Sequence, residues 1–190
     1  MAGTSGYGGD RRGRRWRRAA WGGAAALLLL PLLAMQVTDA VAWDLADFAF
    51  AGALIVGVGM AYELAARRTG DRAYRAAVAV ALAAGVLLVW VNAAVGIIGS
   101  EDNPANRLHA GVLAVAILGA IIARFRPAGM ARVMGATALA QVAVAATVLG
   151  TGFGLGGPIS RLDVVIATGG VAALWLISAG LFRKAARTAR

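Results

Sequence analysis

The sequence predicts an all-α, polytopic membrane protein with six transmembrane helices. Two observations carry this. The 190 residues are 60% hydrophobic, with a mean hydropathy of +0.73, whereas soluble domains hold about 45–50% apolar residues. The apolar residues also fall into runs of about span length, separated by short charged patches, and roughly 20 such residues are needed to cross the hydrocarbon. No ten-residue segments of alternating polarity occur, which argues against a β-barrel.

The chain divides into a basic tail over residues 1–18, expected to be disordered and cytoplasmic, a six-helix membrane domain over 19–182, and a short basic cytoplasmic tail over 183–190. Residues 1–10 are rich in Gly and lack apolar periodicity. Arg11–Arg18, RRGRRWRR, is followed by the uncharged run Ala19–Val37. That run reads as a retained first span. The competing reading is a secretory signal, because Ala40-Val41-Ala42 has the form of a cleavage site. Asp39, Asp44 and Asp47 flank Trp43, a membrane-interface residue type. Asp44 is suited to cap the second span, Phe48–Ala66. Gly52, Val56, Gly59 and Glu63 share one face of it, and small residues on a face let helices approach closely.

Asp71 caps the third span, Ala76–Ile98, after the loop RRTGDRAYR. The fourth span is Leu108–Ala123, short enough to place Arg107 and His109 at the membrane interface. A loop broken by Pro127 and Gly129 leads to the fifth span, Val133–Leu149, with Thr137 and Gln141 on one face. GTGFGLGG forms the next loop. Ser160-x-x-Asp163 is a capping-box pattern before the sixth span, Val164–Phe182. An offset of about 57 residues aligns Arg18, Arg75 and Arg132 and pairs Asn103 with Ser160. It suggests three tandem hairpins; equal span lengths with inexpensive alanine matches give the same alignment.

The net charge of +10 does not indicate nucleic acid. Of the 19 Lys and Arg residues, all but Arg107 and Arg161 fall on one side of the threaded chain. Such asymmetry sets membrane topology and puts both termini in the cytoplasm. The partner so implied is the lipid bilayer, with anionic headgroups at Arg11–Arg18; a homo-oligomer or a membrane partner is open. With no cysteine, disulfides and thiolate chemistry are excluded. No cofactor motif is present, and the glycines at 152–157 lack a phosphate-binding pattern.

The polar stretch Asn92–His109, NAAVGIIGSEDNPANRLH, holds most candidate groups. Asn103 before Pro104 marks a helix start. Alternatively, Glu101, Asp102, Asn103 and Asn106 offer oxygen ligands to a hard cation, although the metal itself is not specified by any spacing. Asn92 lies inside the third span, either as an interhelical hydrogen bond or lining a polar cavity. Gln141 has the same two readings. Glu63 is the one acid well inside a span, and Arg67 four residues later suits an ion pair. His109 is the single histidine, so no His-rich metal site forms.

At VNAAVGIIGSEDNPAN (Val91–Asn106) the chain resembles a group of small bacterial multi-pass membrane proteins. AYELAARR…RAYRAAV and ARFRPAGMAR extend the resemblance over roughly residues 43–141. It implies bacterial inner-membrane placement and no particular mechanism. Three function classes follow. The first is binding or permeation of a small ion or solute through Asn92, Gln141 and Glu63. The second is a non-catalytic scaffold or accessory subunit. The third is an outer-face metal-binding enzyme using Glu101, Asp102 and His109. No nucleophile, base and orienting group are recognisable together, so catalysis ranks last.

Overall fold

The computed structural model describes residues 7–38, 42–94, 97–98, 103–153, 155 and 160–188. Its described elements are all helical. They are α1 (Tyr7–Ala34), α2 (Leu45–Arg68), α3 (Arg72–Ala94), a 3₁₀ turn (Pro104–Arg107), α4 (Leu108–Ile122), α5 (Pro127–Thr151) and α6 (Arg161–Thr188). Five stretches are long and apolar enough to cross a membrane: Leu45–Arg67, Arg72–Ala93, Pro104–Ile122, Pro127–Thr151 and Arg161–Thr188. The chain forms two compact units, Met1–Ala61 and Tyr62–Arg190.

In the first unit, α1 begins earlier than the expected first span and takes in the Arg-rich stretch. Arg is a good helix former, so charge alone does not stop the helix. Among the described residues its apolar stretch is Trp21–Ala34, shorter than the five others. The start of α2 is fixed by local chemistry. The Asp44 carboxylate accepts from the Asp47 N–H at 2.9 Å, and the Asp47 carboxylate accepts from the Asp44 N–H at 2.9 Å. Trp43 packs edge-on against Phe48, with centroids 5.2 Å apart. A reciprocal cap plus an apolar contact across it fixes the chain's entry angle. On the small-residue face of α2, a Cβ at Gly59 would stand 2.8 Å from the Trp21 ring.

In the second unit, α4 packs on α5, α5 on α6, and α6 on α3. Side chains close the remaining α3–α4 side: Leu113 and Trp175 both reach the surface of Gly85, and Asn92 Nδ2 donates to the Asn106 carbonyl at 3.2 Å. The core contains Leu88, Val112, Met134, Val148, Trp175 and Phe182. Outside it the helices stay apolar. Ile122, Leu139, Ile166 and Leu176 are exposed. A contiguous apolar exterior of this kind suits lipid rather than water.

The arginine-rich end of this unit is tied by Tyr74, whose hydroxyl donates to the Phe125 carbonyl at 2.8 Å and whose ring stands edge-on to Phe182. Asp71 caps α3 by accepting from the Tyr74 N–H. The α4–α5 turn is a Schellman arrangement: Phe125 N–H donates to Ala120 O and Arg124 N–H to Ile121 O. Arg124 and Phe125 have φ of 50° and 58°, a left-handed conformation that disfavours a side chain. Pro127 starts α5 rather than breaking the loop, and Gly129 lies inside that helix, pressed against Ala123, where a Cβ would approach to 2.8 Å.

At the opposite end, α3 is described to Ala94, and Ile97 and Ile98, the latter the expected end of the third span, stand in a bend and not in a helix. The Ile97 and Ile98 amides instead donate to Asn106 Oδ1, at 3.1 and 2.9 Å. α5 ends at Gly152, whose φ of 73° suits a residue without Cβ. Ser160 caps α6, and Asp163 returns the bond to the Ser160 N–H.

The offset of 57 carries the buried Tyr74, Ala77, Ala84 and Leu88 of α3 onto Ala131, Met134, Gln141 and Ala145 of α5, all buried. It carries the buried His109 and Val112 of α4 onto exposed Ile166 and Gly169 of α6. Between α3–α4 and α5–α6 the equivalence therefore covers the first helix of the hairpin and not the second.

Candidate functional site

The register of α4 against α5 locates two polar side chains opposite each other. A Cβ on Gly119 would stand 2.7 Å from Val133 Cγ1, so these residues mark the line of closest approach. His109 lies ten residues before Gly119, and Gln141 eight residues after Val133. At 1.5 Å per residue their levels differ by about 3 Å, less than a turn. At 100° per residue both lie about 80° off the contact line. Because the helices are antiparallel, both point to the same side, into the unit. Burial agrees: His109 is 1% exposed and Gln141 0%.

Neither side chain is hydrogen-bonded. Both ring nitrogens of His109 and both amide atoms of Gln141 are buried without a partner. The Asn106 carbonyl lies near the His109 ring but does not meet hydrogen-bond geometry. Thr137, one turn from Gln141 on α5, differs: its hydroxyl donates to Val133 O at 2.9 Å. Ser178 likewise donates to Ala77 O at 2.9 Å. The unit satisfies small hydroxyls and leaves the larger groups open.

Two further residues complete the group. Asn92 uses its nitrogen on Asn106 O, while its Oδ1 stays buried and unpartnered. Asn106 is one turn from His109, so Asn92 joins the group from the end away from the arginines. From the other end comes Trp175, 2% exposed, with an unpartnered Nε1. Its ring meets Gly85 beside Leu113, and Leu113 is one turn beyond His109. Six buried polar atoms of four residues are thus without partners. Each such atom costs about 1–3 kcal/mol by protein mutational measures. The nearest described charges in sequence to His109, Gln141 and Trp175 are Arg107, Arg132 and Arg183, and all three are exposed.

The other candidates are placed differently. Asn103 is a helix cap, its Oδ1 accepting from the Ala105 N–H at 3.0 Å. Asn106 is a clip whose Oδ1 is occupied by Ile97 and Ile98. Glu63 pairs with Arg67 at 3.0 Å. Glu101 and Asp102 lie outside the described residues. His109 is not at an exposed interface: the 3₁₀ turn carries the span back to Pro104, and helix phase turns the ring inward. Among the described residues no group of three or more His, Cys, Asp or Glu is arranged to hold a metal ion. Trp175 was not among the sequence candidates. Its signal was position: a Trp in the middle of a 28-residue helix is not at a membrane interface, where Trp is enriched.

What this arrangement can do chemically is to hold something small that both donates and accepts hydrogen bonds. No family model, curated protein or solved structure matches the chain.

Proposed function

We propose that the protein is a bacterial inner-membrane protein, with both termini cytoplasmic, that binds or passes a small ion or solute at the group formed by Asn92, His109, Gln141 and Trp175. The observation that carries this reading is Gln141, whose amide is 0% exposed and unpartnered at both atoms. In a helix facing lipid and apolar neighbours, such an amide is an energetic cost. Polar groups of this kind inside a span mark ligand paths.

Placement and orientation rest on the Lys/Arg asymmetry and on the resemblance at Val91–Asn106. Arg11–Arg18 gives the cytoplasmic leaflet a cationic segment for anionic headgroups. Because the chain has no cysteine, a single cysteine introduced beyond residue 183 reports orientation cleanly. Labelling of it from the periplasmic side of intact cells would refute the assignment.

The ligand test is thermal unfolding of the full chain in detergent against a panel of ions and small solutes. A ligand binding only the folded state at a hundred times its Kd adds about 2.7 kcal/mol. The expected result is a shift that disappears in Gln141→Leu. A panel without any shift, or a shift indifferent to Gln141, would refute the reading and favour a scaffold role.

A further inference from the structure

We infer that the ligand of the buried group is a small uncharged molecule carrying both a hydrogen-bond donor and an acceptor, of primary-amide type. This rests on the reading of that group as a ligand site and names the chemistry it selects.

The inventory of unpartnered atoms decides it. Gln141 Nε2 and Trp175 Nε1 are donors, and Gln141 Oε1 and Asn92 Oδ1 are acceptors. His109 in its uncharged form adds one of each. Donors and acceptors are thus balanced, three atoms of each, about the level of His109 and Gln141. A hard cation takes six or more oxygen ligands when it sheds water, and the group offers two side-chain oxygens. An anion suits the donors but would face both oxygens. Among the described residues no counter-charge faces the group, because Arg107 is exposed and Glu63 is committed to Arg67. Burying an unpaired ion costs far more than burying a neutral polar group. A primary amide makes two antiparallel bonds with the Gln141 amide and leaves one N–H and one lone pair for Asn92, His109 and Trp175. Water satisfies the same atoms individually and is the competing occupant.

The experiment is ligand-observed saturation-transfer NMR on the full-length chain in detergent, titrating acetamide and N,N-dimethylacetamide. Thermal unfolding in sodium, potassium and chloride salts runs in parallel. Acetamide is expected to bind, with N,N-dimethylacetamide, which lacks N–H donors, weaker by about tenfold, the worth of one hydrogen bond. Trp175→Phe keeps an aromatic ring, removes the indole N–H and is expected to weaken acetamide about tenfold. Gln141→Leu is expected to abolish binding. If that variant does not fold, Trp175→Phe decides. Equal acetamide binding in the variants would overturn the inference. A Gln141-dependent shift from an ion, without acetamide binding, would overturn it while leaving the ligand site standing. Binding of neither, with water the sole occupant, would overturn both.

Discussion

Gln141→Leu should make the ligand-free protein more stable. Gln141 is 0% exposed, and neither amide atom has a partner. Leu keeps most of the side-chain bulk and removes both polar atoms. Leaving one such atom unsatisfied costs about 1–3 kcal/mol, and replacement by an apolar group of like shape recovers it. Part of that gain is lost because the unfolded chain in a membrane also finds partners. The net expectation is about 1–3 kcal/mol. For a chain of this length each kcal/mol moves the unfolding midpoint by about 2–4 °C, so a rise of roughly 2–12 °C is expected. The assay is thermal unfolding in detergent, read by loss of helical signal. Thr137→Val is the control on the same helix. Its hydroxyl is already bonded to Val133 O, so its removal should give no gain. A lower midpoint for Gln141→Leu would refute the reasoning, because it would mean that the amide holds the helices together.

Three further perturbations test the scaffold around the site. Asn106→Ala removes the acceptor of the Ile97 and Ile98 amides, and should cost about 2–4 kcal/mol and speed hydrogen exchange at those two amides. Unchanged exchange there would contradict the clip. Gly119→Ala should cost about 1–3 kcal/mol by overpacking against the stiff Val133, and Val133→Ala should restore much of it; simple additivity of the two would contradict the close approach. Arg124→Gly should stabilise by about 1 kcal/mol, since φ is 50° there, and a loss measured by the same unfolding assay would contradict the left-handed turn.

Much of the fold was legible because helix ends are written locally. Asp44, Asp71, Asn103 and Ser160 each stand before an apolar run, and each accepts a backbone bond there. Span lengths followed from charge spacing for the same reason. At the first span the uncharged run begins after Arg18, while the helix itself starts earlier, at Tyr7, because Arg is a good helix former. The site was only half legible. Asn92 and Gln141 stood out as amides in apolar runs. His109 was read with its neighbour Arg107 at the interface, although helix phase turns His109 inward while Arg107 stays exposed. What brings His109 to Gln141 is the interhelical register at Gly119 and Val133, and contact across helices leaves no mark in either segment alone. Asn106 was read as a ligand group, while its oxygen is consumed by two backbone amides on a segment eight and nine residues earlier.

The measurement that bears most directly on the account is an experimental map of the full-length protein in lipid, at a resolution that shows side-chain rotamers and ordered small molecules. The account predicts His109 and Gln141 at one level, both turned inward, with density between them within hydrogen-bond reach of Gln141 and of Asn92 Oδ1 or Trp175 Nε1. Side chains turned to lipid, or paired with each other across a dry interface, would contradict it.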